Sequence, residues 1–120
     1  VAPQKPVCTA GILSNCTYSS GRITYTGTDT ENFKITVSSS FSFAENTTEI
    51  SGYIAVNGTE QTKIGFTRTI GSSGSLGSAA LTGILSLSTN DYVEVFFYPS
   101  SHTGDDDLII ENLNLNVVKI

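Results

Sequence analysis

The residues of this chain that could carry chemistry are few, and their spacing decides most of what they can do. His102 is the only histidine, so a serine hydrolase would have to assemble its triad from His102, Asp105 and one of the many serines. Such a triad needs a nucleophile in a recognisable turn motif with a base in hydrogen-bond reach. No serine here sits in one, and His102, close to Pro99, reads as a loop histidine. Glycoside hydrolysis asks for two acids opposed across a groove. The acids here fall mostly in turns, and without Trp there is no indole platform for a sugar. The chain is therefore read as a non-enzyme with no catalytic residues.

Metal chemistry is equally thin. Asp105, Asp106 and Asp107, with Asp91 and Glu111 as further candidates, offer the hard oxygens that calcium prefers. Three successive carboxylates cannot all point at one ion, and only Gly104 is there to bend the loop, so a solvated acidic tip is the plainer reading. Zinc would need more ligands than Cys8, Cys16 and His102 supply. No metal and no cofactor are expected. Cys8 and Cys16 enclose Thr-Ala-Gly-Ile-Leu-Ser-Asn. Bridged, they would close a short loop worth ~2–3 kcal/mol and imply an oxidising setting; unbridged, they are two partly buried thiols. Asn15-Cys-Thr17, Asn46-Thr-Thr48 and Asn57-Gly-Thr59 match the N-glycosylation acceptor, but Asn-rich turns produce this pattern by chance.

The elements that would position any site are strands. At 120 residues the chain suits one domain that buries about two-thirds of its unfolded surface. Charged residues are only 14% of the composition, and the abundance of Ser, Thr, Asn and Gly favours strand faces and turns over helices. Six basic residues stand against eleven acidic ones, a net charge of −5, so a phosphate backbone would be repelled and nucleic acid is no partner. No stretch approaches the roughly 18 apolar residues of a membrane-spanning helix, and Val1 to Val7 lacks a signal-peptide pattern. No membrane association is expected. Without any Met, the chain reads as one that has lost its initiator, as a processed piece or as an excised domain.

From Phe33 to Phe43 the apolar residues Phe33, Ile35, Val37, Phe41 and Phe43 alternate with polar ones, Ser39 being the one inner exception. Ile50 to Val56 leads into Asn57-Gly58, the dipeptide suited to a type I′ hairpin turn, and the chain returns through Ile64 and Phe66. Gly71 to Gly77 reads as a mobile loop, followed by a strand from Ala80 to Leu87. Asn90-Asp91 turns into Tyr92 to Tyr98, where Val93, Val95 and Phe97 face the core. The opposite side of that strand is apolar too, with Tyr92, Phe96 and Tyr98 interrupted only by Glu94. A strand with two apolar faces is either central in its sheet or offers its second face to another subunit. The final strand, Leu108 to Ile120, sets Leu113, Leu115 and Val117 against Asn112, Asn114 and Asn116. Seven or eight strands without a crossover helix predict an all-β antiparallel sandwich of jelly-roll type. Residues 1–20 read as an N-terminal arm and disulfide loop, and residues 21–120 as the jelly-roll domain.

Leu87-Ser-Thr-Asn-Asp-Tyr-Val-Glu-Val95 resembles the tumour-necrosis-factor-like jelly roll, in which a leucine, a turn ending in Asp and Val-x-Val lead into the penultimate strand. Leu87, Asp91, Val93 and Val95 occupy those places. Phe33 to Val37, Val56-Asn-Gly58 and the terminal apolar strand fall in the family's order, so the resemblance spans roughly residues 22 to 120. The closing Asn-Leu-Asn-Leu-Asn-Val departs from the complement-head branch and is similar to virion domains of tailed phages. The resemblance implies a homotrimer packed through the aromatic face of Tyr92, Phe96 and Tyr98. It implies a virion-surface structural role as capsid decoration or head-fibre protein, contacting other capsid proteins. The alternative it leaves open is a receptor-binding tip for a host glycan or protein.

Overall fold

Period-two alternation and tight turns organise the chain into strands, and among the described residues there is no helix. The computed structural model describes residue 5 and residues 15–43, 48–71, 75–99 and 108–120. Its strands are β1 (Cys16–Ser19), β2 (Arg22–Tyr25), β3 (Glu31–Phe43), β4 (Thr48–Val56), β5 (Thr59–Ile70), β6 (Leu76–Leu87), β7 (Tyr92–Pro99) and β8 (Leu108–Lys119). They form a five-stranded sheet, β1-β2-β7-β4-β5, and a three-stranded sheet, β6-β3-β8. Every pairing is antiparallel.

The pairing is nested: β4 with β5, β3 with β6, and β2 with β7. Links from β4 to β7 and β3 to β8 complete the two sheets. This winding is that of a jelly roll, in which the strand before β2 in the roll would lie beside β8. Among the described residues nothing pairs with that edge of β8. β1 lies within the segment read as an arm, yet it pairs with β2 and extends the five-stranded sheet.

Two hairpins show how local chemistry sets register. Ser20 and Gly21 have φ of 50° and 82°, and Asn57 and Gly58 have φ of 53° and 81°. Positive φ at both central residues matches the strand twist in a two-residue turn. Ser19 therefore pairs with Arg22, and Val56 with Thr59.

The core lies between the inner faces of the two sheets. Phe33, Ile35, Val37, Phe41 and Phe43 from β3 meet Ile50 and Ile54 from β4 and Val93, Val95 and Phe97 from β7. Phe41 is fully buried, stacked on Phe66 at 5.9 Å and tilted against Phe97 at 6.1 Å. The inner exception, Ser39, is buried and donates its hydroxyl to the Ala79 carbonyl at 3.2 Å. A buried hydroxyl needs such a partner.

The glycine-rich segment corrects the sequence reading. Gly71 to Gly77 was expected to be loop throughout, but β6 begins at Leu76 and Gly77 is buried within it. A Cβ on Gly77 would sit 2.4 Å from Ile70 Cγ2, and one on Gly83 would sit 2.7 Å from Ile64 Cδ1. The missing side chains let β5 close over β6 along that flank of the sandwich. Residues 72–74 lie outside the described residues.

Candidate functional site

The strand singled out for its two apolar faces, β7, lies in the middle of the five-stranded sheet. Its inner side chains fill the core, and its outer row is Tyr92, Glu94, Phe96 and Tyr98. The register places Thr24 beside Tyr92, Tyr53 beside Phe96 and Ser51 beside Tyr98. Sequence alone could not supply these neighbours, because they come from strands distant in the chain.

The single chain already engages most of this row. Phe96 is only 4% exposed, and the Lys5 ammonium lies 4.8 Å from its ring centroid. Tyr92 and Tyr98 are half-buried. The Arg22 guanidinium stacks over Tyr92 at 4.3 Å, while its Nε lies 3.4 Å from Glu94 Oε2. Glu94 is itself buried, and among the described residues its Oε1 has no hydrogen-bond partner. Tyr98 packs edge-on against Tyr53 at 6.1 Å and donates its hydroxyl to the Glu60 carboxylate. Burial, and then that hydrogen bond and the Glu60 charge, push the Tyr98 phenol up to about 12. The three aromatics thus share one face, but Phe96 offers almost no surface to a neighbour.

At one end of β7 the turns lock together. Asp91 accepts from the Ser88 N–H at 2.8 Å and from Asn57 Nδ2 at 2.9 Å. Asn57 Oδ1 in turn accepts from the Tyr92 N–H at 3.1 Å. These bonds give Asn57 and Asp91 a structural occupation beyond their turn geometry. Glu111, the other described acid weighed for calcium, takes a long hydrogen bond from the Ser42 hydroxyl at 3.5 Å. Asp105, Asp106, Asp107 and His102 lie outside the described residues.

A second feature escaped the sequence. Between β1 and β2 on one side and, on the other, the edge of β8 that no described strand pairs with lies an open cleft of about 450 Å³. Cys16, Ile23, Tyr25, Phe33, Leu115 and Val117 give it apolar walls, and Asn15, Asn116 and Lys119 also line it. The only signal available in advance was the Ser20-Gly21 turn dipeptide, whose four-residue flanks are too short and polar to announce the β1–β2 hairpin by themselves. Cys16 carries a free thiol, and Cys8 lies outside the described residues. Burial raises the pKa of Cys16, which lowers its thiolate fraction and suits a wall residue better than a nucleophile.

No protein-family model matches this chain, and a search of curated proteins returns no significant match.

Proposed function

We propose that this domain is a non-catalytic, trimeric jelly-roll module of a virion surface, acting as capsid decoration or head-fibre protein. It works by burying surface against copies of itself and against other capsid proteins. The observation that carries this reading is where the β6–β7 motif falls. Leu87 is 1% exposed at the end of β6, Asp91 ties the turn, and Val93 and Val95 are 0% and 3% exposed on the central strand. The residues that resemble the tumour-necrosis-factor-like family thus do structural work at the centre of a nested jelly-roll winding.

The test is light scattering on the purified chain, paired with binding to the particle from which the gene comes. Three copies per assembly, with attachment lost and the trimer kept on deletion of residues 1–7, is the expected result. A monomer at micromolar concentration overturns the trimer.

A receptor-binding tip is the second reading, favoured by the open cleft beside β8. Saturable binding to a glycan or host protein, blocked by Val117→Phe in the cleft wall, would move the function there.

A further inference from the structure

Among the described residues, the large apolar side chains that stand exposed are not scattered. Leu76, Ile84, Ile109, Val118 and Ile120 are 69%, 64%, 47%, 57% and 65% exposed. Register puts Leu76 and Ile109 on either side of Ser42, and Ile84 and Val118 on either side of Lys34. Ser42 and Lys34 belong to the outward row of β3, so these four side chains share the outer face of the three-stranded sheet. Ile120, two residues beyond Val118 and bonded through its N–H to the Asn32 carbonyl at 3.1 Å, continues the same row. Between the two apolar ends run small residues, with Ala80, Ser38 and Asn114 forming the central row.

We propose that this outer face of β6-β3-β8 is where a second copy of the chain docks, in place of the aromatic row of β7. The proposal rests on the self-assembly reading above and names its surface.

Charge supports a second copy as the occupant. A chain of net charge −5 repels its own copies except where like charges are few. The paired rows of this face carry only Lys34, with Glu111 beside them at the bulge where β8 shifts against Ser40 and Phe41. Size is also adequate. Three strands of about twelve residues span about 14 Å by about 40 Å. Side-chain relief brings that face to the scale of the roughly 800 Å² each partner gives to a stable interface. Small central side chains permit close approach, and the apolar ends are the groups that gain most from leaving water.

The experiment compares Ile84→Asp/Val118→Asp with Tyr92→Ser, using light scattering over a concentration series and circular dichroism to confirm folding. The double variant is expected to fold and to raise the concentration of half-assembly at least about tenfold, since it buries unpaired carboxylates at the contact. Tyr92→Ser is expected to leave that concentration unchanged. An assembled wild type that ignores Ile84→Asp/Val118→Asp but dissociates with Tyr92→Ser keeps the assembly reading and overturns this face. A wild type that stays monomeric overturns both. If Ile84→Asp/Val118→Asp misfolds, Ala80→Arg supplies the same test from the central row.

Discussion

The two outward faces of the sandwich solve the same problem in opposite ways. On the five-stranded sheet, β7 carries large rings and a buried acid, and its own chain engages them: Lys5 over Phe96, Arg22 between Tyr92 and Glu94, and Glu60 against Tyr98. On the three-stranded sheet, the centre is small and polar, while apolar groups at the ends remain in water. An aromatic-rich strand is thus not by itself an open docking surface, because its rings can be engaged by their own chain. What matters is the surface left over after the chain has satisfied itself.

The largest effect is expected where the two faces are held back to back. Phe41 is fully buried between Phe66 and Phe97. Phe41→Ala should cost about 3–5 kcal/mol in chemical denaturation, the usual range for a buried ring. A loss below about 1 kcal/mol would mean that the inner face of β3 is not the core.

Next in size is the ion pair that closes the β7 face. Glu94 is buried, while the Arg22 side chain is 45% exposed, so water screens the pair from one side. Arg22→Ala should cost about 1–3 kcal/mol, because it leaves a buried carboxylate without its cation. Adding Glu94→Ala should recover part of that loss. Strict additivity of the two changes would show that they do not communicate.

Alkaline pH sharpens the same face. The Tyr98 phenol is raised to about 12 in the folded chain, against about 10 when unfolded. A raised pKa contributes stability that is complete below pH 10 and disappears as pH climbs through 12. Tyr98→Phe should therefore be less stable than wild type by about 1 kcal/mol near pH 8, and the gap should narrow between pH 10 and 12. Denaturant midpoints at pH 8, 10 and 11.5 measure this. A gap independent of pH would mean that Glu60 does not hold the phenol.

Much of the fold was legible because strand alternation is a local signal. Phe33 to Phe43 could be read residue by residue, down to Ser39, and Asn57-Gly58 declared its hairpin. Ser20-Gly21 carries the same turn chemistry, but its four-residue flanks are too short and polar to announce strands. Gly77 read as loop and Gly83 as an ordinary strand position, until Ile70 and Ile64 show why a side chain is excluded at both. The sequence also shows Tyr92, Phe96 and Tyr98 on one side of β7. It could not show that Phe96 is covered, nor that Ile84 and Val118 flank Lys34, because both depend on contacts between segments remote in the chain.

The smallest effect is expected at the centre of the open face. Ser38 is exposed and outward-facing, with Ala80 and Asn114 as its lateral neighbours. Ser38→Val exchanges a hydroxyl in water for a β-branched side chain that suits an extended strand. It opens no cavity and leaves no buried polar group alone, so folding stability should change by no more than about 0.5 kcal/mol. The measurement belongs in the Ile84→Asp/Val118→Asp background, where assembly cannot add its own concentration-dependent stability. A loss above about 1 kcal/mol there would show that the face is tied down within the single chain. The contrast with β7 would then fail, because both faces would be closed by the chain itself.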